Sequence, residues 1–205
     1  PRFATAAQAH VMQAAKYLFR EDASTFHTYY MDVNTGDPRY GNTQQGYADD
    51  SCWSRGQAWG IYGFLLSYIY TGDATMIALS KRLANYFLNR LPEDHVCHWD
   101  LALVGTDALR DSSSAAIAAC GLLELVKHLP VTDPDRERYQ LWATEIVLSL
   151  SRHYVSGLEE PGNGVLKHSV YHLSSNKGVD ECSSWGDYFY VEALARVSQS
   201  WKLYW

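Results

Sequence analysis

The stretch from Ser54 to Tyr70 is apolar on nearly every side, with Trp59, Ile61, Tyr62, Phe64, Leu65, Leu66 and Ile69 leaving no polar stripe. A helix of that kind has to be enclosed by other helices. A second such helix runs from a cap at Asp111 or Ser112 to Leu129, where Ala115, Ala116, Ala118 and Ala119 permit close helix contact. Between and after these two, the pattern narrows to one face. Thr71-Gly72 ends the first enclosed helix, and Asp73 caps a helix with Met76, Leu79 or Ser80, Leu83 and Phe87 on one side before Pro92. Asp133-Pro134 reads as a cap with proline at the first helical position, opening a helix with Tyr139, Trp142, Ile146 and Leu150 aligned. Thr5 to Phe19 and Trp185 to Leu203 complete six helical segments, the last with Tyr188, Val191, Leu194 and Ala195 as its apolar face.

Alternation of enclosed and one-faced helices is an architectural repeat of helical hairpins, so the expected fold is all-α, an α/α toroid. The 205 residues fit a single domain with one core. Three long aromatic connections, Ser24 to Asp50, His95 to Arg110 and Tyr154 to Ser184, are expected to hold short β-hairpins, and connections of this length often carry function. The formal charge of -6 argues against nucleic acid, which clustered Lys and Arg would bind. Four cysteines without a CxxC pair read as reduced thiols, and no metal or cofactor pattern is present. The longest apolar run, Ala58 to Tyr70 with Ser67 inside it, is shorter than the roughly 20 residues that cross a bilayer. No signal peptide opens the sequence, so a soluble protein of the reducing cytoplasm is expected.

The polar groups concentrate just ahead of the enclosed helix, in QQGYADDSCWSRGQAWGIYGF from Gln44 to Phe64. Trp53 and Trp59 bracket Arg55 and Gln57, with Gln44, Gln45, Asp49 and Asp50 upstream. Aromatic faces pack on a sugar ring, amides and carboxylates bond hydroxyls, and a guanidinium holds a carboxylate in two parallel bonds. The same residue types also build ordinary protein interfaces.

QQGY at 44–47, SCWSRGQAW at 51–59, LPED at 91–94, RDSSSAAI at 110–117 and WGDYFY at 185–190 resemble, in order, the unsaturated glucuronyl hydrolases, glycoside hydrolase family 88. The resemblance implies an (α/α)6 barrel of helical hairpins, of which this chain would be the C-terminal portion. It implies a substrate as well: an oligosaccharide left by a polysaccharide lyase with a 4,5-unsaturated uronic acid at its non-reducing end. In that chemistry an aspartate protonates the C4=C5 vinyl ether and assists addition of water at C5, unlike the double displacement of ordinary glycosidases. Carried over by motif, His27, Gln45 and Arg55 are the pocket His, Gln and Arg, and Trp59 belongs to the aromatic platform. Arg55 and Gln45 would engage the uronate, and His27 would support water or carboxylate binding. A family pattern for sulfated substrates is met in part by Ser200 and Lys202, with Val197 in place of its other serine; outside that pattern, both are ordinary residues of a last helical turn.

The family's two catalytic aspartates map upstream of Pro1, so none of Asp49, Asp50, Asp100, Asp107, Asp111 and Asp187 falls in the catalytic motif. Asp111 reads instead as a helix cap, and Asp187 as a carboxylate at a helix start. Turnover would then need the other half of the barrel, from upstream sequence or a second polypeptide, and the inner helix around Phe64 and Leu66 would be exposed for that half or for a homodimer partner. Two other readings remain open: a catalytically silent carbohydrate-binding subunit, and a rhamnogalacturonyl hydrolase of the related family 105.

Overall fold

A computed structural model describes residues 2–203. The order is α1 (Arg2–Tyr17), β1 (Thr28–Met31), β2 (Pro38–Asn42), α2 (Ser54–Thr71), α3 (Ala74–Leu88), α4 (Ser112–His128), α5 (Arg136–His153), β3 (Ser169–His172), β4 (Lys177–Glu181) and α6 (Ser184–Ser198). The strands form two separate antiparallel hairpins, one in each of the first and last long connections. Six helices among the described residues, with only these short strand pairs, are the expected partial (α/α)6 architecture.

The apolar pattern dictates the layers. α2, α4 and α6 lie side by side as an inner row, with α3 packed outside α2 and α5 outside α4. In α4 every residue from Ser112 to Val126 is buried, which its small side chains allow. Gly121 marks the closest approach: a Cβ there would sit 3.0 Å from Ile61 and 3.3 Å from the Tyr62 backbone nitrogen. The inner helices run parallel, because contacts pair their starts (Arg55 with Asp111) and again their later turns (Tyr62 with Glu192, Glu124 with Arg196). α1 touches α2 loosely and buries none of its residues.

Several boundaries follow the expected chemistry. Gly72, left-handed at φ 73°, closes α2, Asp73 accepts from the Thr75 N–H, and Asp111 accepts from the Ser113 and Ser114 N–H groups. Others differ. The regular helix of α5 starts after Asp135 rather than at Pro134, although Asp133 still accepts from the Asp135 N–H at 2.9 Å as a cap would, while also pairing with Lys81 at 2.8 Å. α1 stops at Tyr17, and Phe19 joins an isolated bridge with Thr25. α6 ends at Ser198, so Ser200 and Lys202 occupy an exposed tail and not a last helical turn. Its buried side also differs from the expected one: Phe189, Tyr190, Glu192, Ala193 and Arg196 face inward, while Tyr188 and Val191 are 46% and 55% exposed. Phe64 is buried, edge-on to Phe19 at 6.5 Å, and Leu66 is half-buried, so the exposed apolar surface centres on Trp59, Tyr188 and Val191 instead.

Candidate functional site

The parallel inner helices bring three N-termini together. Ser54 and Ser114 share a 3.0 Å hydroxyl contact, and the Trp185 indole N–H donates to the Ser113 hydroxyl at 3.1 Å. The first N–H groups of these helices are largely capped, by Asp111 at α4 and Ser183 at α6, so it is the aligned peptide dipoles that favour negative charge here. Arg55, in the first turn of α2, is only 3% exposed. Its Nη1 lies 3.3 Å from Asp111 Oδ2 and donates to the Val170 carbonyl at 2.8 Å, and Nη2 donates to the Tyr171 carbonyl at 2.9 Å. The Trp53 and Trp185 rings flank the guanidinium at 4.6 and 5.0 Å. Burial is the main influence on Arg55 and pulls its pKa down, with Asp111 opposing. A guanidinium keeps its charge through such shifts.

His27 and Gln45 meet at the base of the first hairpin, whose strands start and end beside them. The His27 N–H donates to the Asn42 carbonyl at 3.0 Å, which closes the ladder, and His27 Nδ1 accepts from the Gln45 N–H at 3.3 Å. The Gln45 side-chain amide donates to the Tyr171 carbonyl at 3.3 Å, the acceptor that Arg55 also uses. His27 stands 4.6 Å from the Trp53 ring. Its pKa is lowered, first by burial and then by the nearby Arg55 and His172.

Beside these groups opens a largely apolar cleft of about 680 Å³, lined in part by His27, Trp53, Trp59, Phe64, Thr25 and His10. Trp59 is 39% exposed in it and is held edge-on by Phe189 at 5.1 Å. Gln45 and Arg55 stand outside that lining, behind Trp53 and His27. Gln57 belongs to the scaffold: it is fully buried, donates to the Ala23 and Leu83 carbonyls, and accepts from Thr25. Asp49 and Asp50 are exposed.

Sequence reading placed Asp111 at a helix cap and Asp187 at a helix start, but it found neither the role of Asp100 nor the loop contacts of Asp187. Asp100, buried in the middle connection, accepts from the N–H groups of Tyr47, Cys52 and Ala102 and from the Ser51 hydroxyl, and so pins the loop between Gln45 and Arg55. Asp187 accepts from the Val165 and Leu166 N–H groups and fixes the approach to the second hairpin. Trp185 was visible as a conspicuous ring in WGDYFY, but only the parallel helices place it against Arg55. Among the described residues no group of three or more His, Cys, Asp or Glu is arranged to hold a metal ion.

No family model matches the sequence. Individual relatives do. The unsaturated chondroitin disaccharide hydrolase of Streptococcus pneumoniae is 50% identical over 200 residues, 97% of this chain and 50% of the relative. The unsaturated glucuronyl hydrolase of Bacillus sp. GL1 is 40% identical over 206 residues, 100% of this chain and 55% of that protein. The solved structure of the Bacillus enzyme, described as responsible for glycosaminoglycan degradation, superposes with a TM-score of 0.93 over 97% of this chain and 53% of its own. A Streptococcus agalactiae unsaturated glucuronyl hydrolase mutant complexed with dGlcA-GalNAc6S gives 0.91 at 47% identity, over 100% of this chain and 54% of its own. These neighbours are glycoside hydrolases built on the (α/α)6 barrel. The chain belongs to the unsaturated glucuronyl hydrolase family, and it spans about half the length of the relatives it matches.

Proposed function

We propose that this chain forms the uronate-binding part of an unsaturated glucuronyl hydrolase, acting on lyase-generated oligosaccharides that end in a 4,5-unsaturated uronic acid. The observation that carries the reading is Arg55, flanked by two Trp rings at the junction of three helix N-termini and next to the Trp59 cleft. Arg55 and Gln45 bind the uronate carboxylate, Trp59 supports a sugar face, and His27 donates from Nε2 to water or carboxylate, its Nδ1 being taken by Gln45. Asp100, Asp111 and Asp187 are each committed to backbone or Arg55 contacts. The acid that protonates the vinyl ether is taken to lie outside the described residues, as the family pattern implies, and the exposed Trp59, Tyr188 and Val191 support a complementary half covering the cleft. Ser200 and Lys202, on the exposed tail beyond α6, are the candidates for contact with a sulfate group on the substrate. Three buried free thiols, Cys52, Cys97 and Cys120, support a reducing, cytoplasmic setting.

The test titrates the 205-residue chain with unsaturated chondroitin disaccharide while following the vinyl-ether absorbance. Binding without loss of absorbance is expected, and Arg55→Ala should weaken binding by about 2 kcal/mol, as for loss of a charge-assisted pair. Turnover by this chain alone would overturn the assignment of the acid, and unchanged affinity would remove Arg55 from the site.

A further inference from the structure

We propose that Asp111 is a positioning residue that holds the Arg55 guanidinium with one edge free for the uronate; this rests on the binding role given to Arg55 above. Asp111 is fully buried, and its two carboxylate oxygens divide their work. Oδ1 serves the start of α4 and the second hairpin, accepting from the Ser113 N–H at 3.1 Å, the Ser113 hydroxyl at 2.6 Å, the Ser114 N–H at 3.3 Å and the Val170 N–H at 3.5 Å. Oδ2 serves Arg55 Nη1 at 3.3 Å and accepts from the Ser114 hydroxyl at 2.7 Å. The cap and the guanidinium clamp thus share one side chain.

The clamp has a defined geometry. Asp111 fixes Nη1 from α4, and the consecutive Val170 and Tyr171 carbonyls fix Nη1 and Nη2 from the second hairpin. That hairpin is itself bound to the start of α4, through the Ser112 N–H to the His168 carbonyl at 3.1 Å and the Ser112 hydroxyl to the Lys167 carbonyl at 2.6 Å. Nη1, which also lies 3.4 Å from the Ser113 hydroxyl, is therefore spent on α4 and the hairpin, and Nη2 gives one bond to the hairpin. Nε and the second Nη2 hydrogen have no hydrogen-bond partner among the described residues, and these two donors form the fork that receives a carboxylate side-on. A fixed fork loses less freedom on binding than a mobile one, so the clamp acts on affinity through Arg55.

Asp111→Asn separates the two roles. Asn is as good a cap as Asp, but its amide nitrogen would replace Oδ2 and set a donor against the Nη1 donor. Titration calorimetry with unsaturated chondroitin disaccharide is expected to show affinity falling about tenfold for Asp111→Asn, and no further change when the substitution is added to Arg55→Ala. An equal loss in both backgrounds would reduce Asp111 to a structural cap, and no loss in the presence of Arg55 would also overturn the proposal. If Arg55→Ala alone leaves affinity unchanged, the uronate reading falls first and the positioning role falls with it. Should Asp111→Asn fail to fold, nitrogen-15 NMR of the unaltered chain decides: a clamped Arg55 gives separate Nη proton signals, whereas one averaged signal means that nothing holds it.

Discussion

Because the His27 Nδ1 accepts from the Gln45 N–H, the ring proton belongs on Nε2, and the imidazole works as a neutral donor. Burial, Arg55 and His172 all lower its pKa from the usual 6.5. For a histidine depressed in the fold, the unfolded chain takes up the proton first, so this contribution to stability is complete above about pH 6.5 and erodes as pH falls below it. An NMR titration of His27 should give a midpoint below 6.5 that moves upward in Arg55→Ala; a midpoint above 6.5 would reverse the tautomer argument. Asp100 makes a second test at this scale. Asp100→Ala removes the acceptor of the Tyr47, Cys52 and Ala102 N–H groups and of the Ser51 hydroxyl, of which the Cys52 N–H is left buried, and should lower stability in urea by about 2 kcal/mol; a loss below 0.5 kcal/mol, about the scale of a surface change, would show that the loop holds itself. Residue chemistry was readable where a side chain advertises its use, as with the Asp111 cap. Gln57 shows the limit, since an amide between two Trp rings reads as a sugar contact until the fold sends it to the Ala23 and Leu83 carbonyls. Asp100 was illegible for the same reason: its partners at Tyr47 and Ser51 lie about fifty residues back along the chain, and no local pattern records them.

At the scale of elements, α6 explains why hydropathy can point a helix the wrong way. Its buried side includes Glu192 and Arg196, which pattern reading assigns to solvent. Arg196 Nε donates to Glu192 at 2.8 Å, Nη1 pairs with Glu124 of α4, and Nη2 reaches the Tyr62 hydroxyl of α2 at 2.5 Å. One guanidinium thereby ties all three inner helices. Burial pushes the Glu124 pKa up, but bonds from Arg196 and Lys127 outweigh it and leave the group below its usual 4.5. The stability from Glu124 is therefore present above about pH 4.5 and lost as pH falls through its lowered folded value. Arg196→Ala leaves buried Glu192 without its cation and Glu124 with Lys127 alone as a full charge, and should destabilise the fold by about 3–5 kcal/mol in guanidinium denaturation; a change under 1 kcal/mol would mean that the remaining partners suffice. The enclosed character of α2 and α4 was legible because apolar and small side chains recur on every side of both helices, with Arg55 the one charge in the first turn of α2. Capping signals at Asp73 and Asp111 worked because each acts within three residues. At α5 the capping signal also held, since Asp133 accepts from the Asp135 N–H, but a turn precedes the regular helix and shifts its start by two residues.

For the whole molecule, the packing predicts a gradient of local stability. α4 is surrounded by α2, α5 and α6 and buries every residue from Ser112 to Val126, whereas α1 buries none and meets α2 along one edge of the 680 Å³ cleft. Opening α1 exposes little apolar surface beyond the partly buried Val11, Ala14 and Ala15, so it should cost little free energy; opening α4 amounts to global unfolding. Hydrogen exchange followed by mass spectrometry should accordingly find α1 amides exchanging fastest among the helices and α4 amides slowest, with α2 between them. The same gradient bears on function, because Trp59 and His27 stand on the side of the cleft facing α1, while Arg55 and Asp111 are rooted in α2 and α4. Covering the cleft with the complementary half of a barrel would slow exchange in α1 and leave α4 nearly unchanged. Equal protection of α1 and α4 in the 205-residue chain would show that α1 is already fully docked, and that the cleft needs no further covering to reach its working shape.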